Sequence, residues 1–346
     1  MPMEQMSRLR QRWQLLAYVV AVAALLLAPA VLSTYPLSVL TEILIFGLFA
    51  MSLNLLLGYT GLPTLGHSAF FGAGGYVVGL LAKYYQVPLG PALLLAILAG
   101  VVLALVTGPI VLRTSGAYFL MLTLSLTQVL FGVVWLARGV TGGDDGLPGI
   151  PTPQLAFLAG SLEPTANFYY LALAIVVVAI ASMAWVVRSS FGLALLAIRE
   201  NERVVEGLGY PTWLVKYAVY ALAGGYGALA GALYTFFKGY VGPGQLSWLV
   251  AGEGLVMTIV GGAGTFWGPM VGAAVVLLLR YEVSTFTQRW LLILGLIFIA
   301  TVVLMPRGIV RLPERLREVR ARVRREELLE PVAGERQPAE QVVERS

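Results

Sequence analysis

Long apolar runs, separated by short clusters of Gly, Pro and charge, organise this chain from end to end. A helix advances about 1.5 Å per residue, so about 20 apolar residues cross a hydrocarbon layer of about 30 Å. Runs of this kind predict helices over Gln14–Thr34, Leu37–Leu57, Leu62–Tyr85, Pro91–Leu112, Gly116–Ala137, Phe168–Val187, Trp213–Phe237, Leu249–Val260, Thr265–Leu279 and Trp290–Met305. The eighth is too short for a comfortable crossing. Its exit, Gly261-Gly262-Ala263-Gly264, predicts a broken or re-entrant element packed inside the protein, where neighbours rather than lipid satisfy irregular backbone. The predicted fold class is an all-α polytopic membrane protein of roughly ten transmembrane or re-entrant helices.

Composition agrees: 58% of the 346 residues are hydrophobic and 12% charged, with mean hydropathy +0.83. A soluble globular chain carries about 25% charged residues. The net charge of +5 is not a nucleic-acid footprint, because 22 of the 41 charged residues lie in segments 1–13 and 306–346, outside the apolar body. With no Cys there is no thiol nucleophile, disulfide or Cys-ligated metal, and a single His, His67, excludes a multi-His zinc site. The lysines Lys83, Lys216 and Lys238 follow Ala82, Val215 and Phe237, so the Gly-Lys pair of a phosphate-binding loop is missing. No catalytic or metal residue is assigned.

Lys and Arg are retained on the cytoplasmic side, so their distribution sets orientation. Ten crossings with both ends inside place 18 of the 23 basic residues in the cytoplasm, leaving Lys83, Arg138, Lys238, Arg280 and Arg289 outside. The expected organisation is a cytoplasmic N-terminus (1–13), a transmembrane domain (14–305) with an external loop at 138–167 and a cytoplasmic loop at 188–212, an amphipathic cytoplasmic helix (306–330) and a disordered tail (331–346). In the amphipathic helix Leu312, Leu316, Val319 and Val323 recur amid arginines, as on an anionic lipid surface, with a partner-binding helix as the alternative. A cleaved leader over Arg8–Ala30 is a rival reading, opposed by its length and by the span that follows at once.

Two regions carry candidate chemistry. In the cytoplasmic loop, Leu195, Ile198 and Leu208 form an apolar side, while Arg199, Glu200, Glu202, Arg203 and Glu206 form a charged one. Gly209 can cap the helix and Pro211 stops it. Such a helix, tethered at both ends by membrane spans, suits a transmitted push; an interfacial helix lying on headgroups is the alternative. Around Gly58–Gly72, Gly61, Pro63 and Gly66 break the apolar run next to His67 and Ser68, so backbone groups can face a pathway for a zwitterion. Gly261, Gly262 and Glu253 join the same candidate pathway. Close helix packing explains each glycine singly, and a packed, hydrogen-bonded imidazole explains His67. Glu42 is expected near the outer end of its span, snorkelled or paired. Asp144 and Asp145 lie between glycines in the external loop, without the alternating ligand spacing of a calcium site.

The loop resembles the coupling loop of binding-protein-dependent ABC importers, whose signature is Glu-Ala-Ala, three residues, then Gly. Counting back from Gly209 places Arg203, Val204 and Val205 at the signature positions, so the acid is displaced to Glu202 and valines replace the alanines. The wider run Ala197-Ile-Arg-Glu-Asn-Glu-Arg with Gly207-Leu-Gly-Tyr is similar to the branched-chain amino acid permeases. So are Asn54–Gly72, Thr141–Pro151 (like the external loop of the M-type, or LivM-type, subunit) and Glu253–Pro269. The resemblance covers about residue 40 to Arg311. It implies an import pathway without its own motor, in a bacterial or archaeal plasma membrane. Its partners would be a second permease subunit, two ATPase subunits that bind ATP and Mg, and a substrate-binding protein; Asp144 and Asp145 would help dock the last. Urea or short-amide permeases, and permeases for other amino acids, share these motifs. A stand-alone secondary transporter or channel is the reading from a different class.

Overall fold

The computed structural model describes residues 25–153, 164–286, 292–293, 295–296, 299 and 308–311. The expectations for 1–24 and 312–346, for most of the helix Trp290–Met305 and for residues 154–163 of the external loop lie outside them. Residues 25–31 are helical, and the long helices that follow are α1 (Thr34–Asn54), α2 (His67–Tyr84), α3 (Leu89–Val111), α4 (Gly116–Leu136), α5 (Pro164–Arg188), α6 (Ser190–Gly207), α7 (Thr212–Lys238), α8 (Trp248–Gly261) and α9 (Gly268–Phe286). One two-stranded antiparallel pair, β1 (Leu147–Pro148) with β2 (Tyr240–Val241), ties the α4–α5 connection to the α7–α8 connection.

The chain is an all-α membrane protein. Four described helices are long and apolar enough to cross a membrane: Thr34–Thr60, which is α1 with its extension, α3, α4 and α5. They divide by burial. In the first, 94% of the apolar window is buried, against 17% in α4. On α3, Leu94, Leu98, Val102, Val106 and Ile110 form an exposed stripe at four-residue spacing, and Val178 and Trp185 on α5 are also exposed. Exposed apolar faces around a buried apolar helix are what a hydrocarbon solvent permits and water penalises.

Helix α7 packs mainly against α2 and α3, and α8–α9 form a hairpin against α1. Small residues set the spacing. Methyl groups added at Gly74 and Gly231 would run into the Ala228 and Phe71 carbonyls, so the α2 and α7 backbones lie almost in contact.

Several boundaries differ from the pattern-based expectation. The second span runs on to Thr60, and the third helix starts at His67 instead of Leu62, because Gly61–Gly66 leave helical geometry. Gly72 then lies inside α2. The short eighth helix is confirmed as Trp248–Gly261, fourteen residues, followed by an irregular turn before Gly268. The helix expected in the loop 188–212 begins at Ser190 and is kinked at Asn201 (φ −160°, ψ 96°). This separates Arg199 and Glu200 from Glu202, Arg203 and Glu206 and interrupts the continuous charged stripe. Gly209 (φ +83°) follows the helix end, as expected of a terminator.

Candidate coupling and pathway site

At one end of the bundle α1 passes into a π-helical turn, Leu55–Thr60, closed by Gly61 in the left-handed region (φ +75°). The last carbonyls of any helix lack intrahelical partners. Here Leu55 O accepts from Thr60 Oγ1 (2.8 Å) and Leu56 O from the Leu62 amide (2.9 Å). Gly58 O accepts from the guanidinium of Arg199, which arrives from α6, 141 residues away in sequence. A cation at a helix C-terminus also meets the negative end of the helix dipole.

The second break lies against the first. Asn54 accepts from the Gly264 amide through Oδ1 (2.9 Å) and donates through Nδ2 to Thr265 O (2.9 Å). A side chain at Gly58 would strike both that Asn54 oxygen and the Gly264 amide, so the close approach requires glycine. Gly261 and Gly262 are buried within this turn, and Gly308 packs on Gly262. The two glycine-rich breaks, about 200 residues apart in sequence, thus form one assembly.

Among the other pathway candidates, Gly61 is exposed, Pro63 partly exposed, and Gly66 buried against Thr123 of α4. His67 is fully buried. Its Nε2 lies 2.7 Å from Ser52 Oγ, and its ring packs against Phe49 and Phe70, with centroids 5.2 and 5.6 Å away. Ser68 points elsewhere, donating to Leu246 O (3.3 Å). The break therefore fans its polar side chains into separate neighbours.

Glu202 pairs with Lys216 (2.5 Å) and Glu206 accepts from Thr212 Oγ1 (2.7 Å), so the half of α6 after the kink is anchored to the start of α7. Leu195 and Ile198 bury the half before it. Glu200, Arg203 and Val204 are exposed around the kink, as are Arg199 and Glu206, which nevertheless hold Gly58 O and the Thr212 hydroxyl.

Glu253 belongs to a different cluster, around Glu42 in the first half of α1. Glu42, buried, accepts from Lys238 Nζ (2.9 Å) and from Tyr281 Oη (2.6 Å), while Arg280 reaches Glu253 at 3.4 Å. Arg280 and Tyr281 are consecutive on α9 and so link the two acids. Beside them a cavity of about 420 Å³ is lined by Tyr234, Lys238, Tyr240, Gly242, Gly244 and Gln245. Asp144 and Asp145 are exposed on the 3₁₀ turn Gly143–Asp145, just before β1. Lys83 Nζ fastens β1 to α2 through Pro148 O (2.9 Å).

Sequence reading found the glycine breaks but not Asn54, nor the pairings of Glu42 with Lys238 and of Glu253 with Arg280. The signal for Asn54 was an amide side chain inside an otherwise apolar run; the pairings join residues far apart in sequence and leave no local pattern.

Residues 35–302 match the family model described as branched-chain amino acid transport system / permease component. The chain is 25% identical over 324 residues to the high-affinity branched-chain amino acid transport system permease protein LivM of Escherichia coli, covering 88% of this chain and 76% of that one. It is 26% identical over 230 residues to the probable branched-chain amino acid transport permease protein LivM of Methanocaldococcus jannaschii, covering 56% and 65%. It is 28% identical over 274 residues to the autoinducer 2 import system permease protein LsrC of Salmonella choleraesuis, covering 73% of each. No solved structure matches the chain at a significant level. With a match that takes in most of its length and an all-α membrane architecture, the chain belongs to the branched-chain amino acid transport system permease family, of the LivM type.

Proposed function

We propose that this chain is the membrane-spanning permease subunit of an ABC importer for branched-chain amino acids, spanning a bacterial or archaeal inner membrane about ten times with both ends in the cytoplasm. The family match over residues 35–302 is the observation that carries this reading. Two ATPase subunits bind ATP and Mg, a second permease subunit completes the pathway as a heterodimer, and a binding protein delivers substrate to the outer face, with Asp144 and Asp145 in its docking area. The chain has no ATPase site of its own.

In this scheme the ATPase subunits grip α6 at its exposed kink, around Glu200, Arg203 and Val204. The push reaches the membrane domain through Arg199 on one side and through Glu202–Lys216 and Glu206–Thr212 on the other. Substrate crosses between the polar cluster of Glu42, Lys238, Glu253 and Arg280 and the double break at Gly61–Gly66 and Gly261–Gly264. Backbone groups outside helical bonding there, held in this structure by Arg199 and Asn54, would serve a zwitterion without a buried ion once the breaks move.

The likeness to the autoinducer 2 permease supports a second reading, in which a small polar molecule other than an amino acid is carried. A panel of labelled substrates given to proteoliposomes holding the complete assembly separates the two. Leucine, isoleucine and valine uptake, with no uptake of urea, short amides or autoinducer 2, is expected; the reverse selectivity would replace the amino-acid reading.

A further inference from the structure

Arg199 lies in the coupling loop, where a direct grip on the ATPase subunits is the obvious role for a cation. The residue is exposed, yet its side-chain contacts run to the membrane breaks. The side chain spans the gap between α6 and the membrane breaks: its Cγ lies 3.2 Å from where a Cβ on Gly61 would sit, its guanidinium donates to Gly58 O, and the same nitrogen lies 2.6 Å from where a Cβ on Gly264 would sit. One side chain therefore touches the π-helical end of α1, the residue that terminates it, and the second break. Gly61 (φ +75°) and Gly264 (φ +80°) both hold left-handed backbone, and neither has a side chain to block the approach. Asn54 fastens the two breaks to each other, so a force arriving at Arg199 is applied to both.

We propose that Arg199 is the positioning residue that locks the inner end of the pathway to the coupling helix, making the two glycine breaks move with α6. This rests on the import reading given above. The kink at Asn201 supplies the division of labour: residues after it are anchored to α7, whereas Arg199, before it, is tied to the breaks. A guanidinium suits the task because its planar fork holds several donors at fixed angles. The π-helical turn suits it because its carbonyls are available to an outside donor.

The test uses the complete assembly in proteoliposomes, with leucine uptake and ATP hydrolysis measured in the same vesicles. Arg199→Met keeps the stem against Gly61 and removes the donor; Arg199→Lys keeps a cationic donor. The expected result is a drop of about tenfold in leucine taken up per ATP hydrolysed for Arg199→Met, with hydrolysis near wild type and partial recovery in Arg199→Lys, within the usual span of coupling between two sites. A second measurement leaves Arg199 in place. The chain has no Cys, so Ala263→Cys reports the second break alone, and its labelling by a membrane-impermeant thiol reagent is expected to change when ATP is added. Unchanged uptake per ATP in Arg199→Met, or Ala263→Cys labelling indifferent to ATP while uptake proceeds, would overturn the assignment of Arg199 alone. Wild-type vesicles in which ATP drives no uptake would overturn the import reading and this inference together.

Discussion

Asn54 and Gly264, 210 positions apart, are joined by a 2.9 Å hydrogen bond from the Gly264 amide to the Asn54 side-chain oxygen, and the Asn54 amide returns a bond to Thr265 O. This is how a helix that ends in a π-turn and a helix that ends in a glycine run close each other's backbone valences. In a low-dielectric interior each group left unpaired costs about 1–3 kcal/mol. Asn54→Ala is therefore expected to destabilise the protein by about 2–4 kcal/mol, because it orphans two backbone groups at once. Thermal unfolding in detergent checks this. Asn54→Asp, which keeps the acceptor for Gly264 and loses the donor, is expected to fall between alanine and wild type; a melt unchanged in both would contradict the pairing.

His67 is enclosed by Phe49, Phe70 and Ser52. His67→Ala is expected to lower stability by about 2–4 kcal/mol through cavity formation and loss of the Ser52 bond, with KM for uptake unchanged. Ser52→Ala leaves the buried His67 Nε2 unpaired with little cavity and is expected to cost about 1–3 kcal/mol. A His67→Ala protein of wild-type stability with a raised KM would instead place this imidazole in the pathway.

Glu42 is almost fully buried, whereas Lys238 is partly exposed and also lies over the Phe237 ring, 4.9 Å from its centroid. Removing the cation leaves the buried carboxylate with the neutral Tyr281 hydroxyl and no counter-charge from Lys238; removing the carboxylate frees a lysine that water can reach. Lys238→Met is therefore expected to destabilise more than Glu42→Gln, and a double-mutant cycle should give a coupling of about 1–3 kcal/mol. Additive single effects in thermal unfolding would show that the ion pair contributes nothing.

The charges of α6 separate into two kinds. Glu202 is bound to Lys216, so Glu202→Ala should reduce both stability and ATP-driven uptake. Glu200 and Arg203 are exposed, and their alanine variants should keep stability within about 0.5 kcal/mol of wild type while lowering uptake. Uptake and melting curves on the same preparations distinguish these outcomes; full ATP stimulation in Glu200→Ala/Arg203→Ala would remove the exposed kink from the coupling surface.

The apolar periodicity made most helices and the short Trp248–Gly261 element legible, because hydrocarbon-scale runs are set by composition alone. Boundaries failed where backbone partners, not side-chain polarity, decide the geometry. Leu62 and Leu65 read as helix, yet the chain from Gly61 to Gly66 is non-helical: Gly61 turns left-handed, the Leu62 amide bonds back to Leu56 O, and the Gly66 amide bonds to the Thr64 side chain. The kink at Asn201 hides inside a run of good helix formers, and there Asn201 Oδ1 accepts from the Val204 amide (3.3 Å). The glycines of the candidate site were legible as a cluster. Their shared partners, Asn54 and Arg199, were not, since contacts across 141 to 211 positions leave no periodic trace.

The most direct measurement of the whole account is leucine uptake by proteoliposomes containing this chain with its second permease subunit and two ATPase subunits, with ATP and the binding protein each withheld in turn. The account predicts uptake only when both are present, falling to the level of protein-free vesicles when either is omitted. Leucine uptake that persists without ATP or without the binding protein would contradict it.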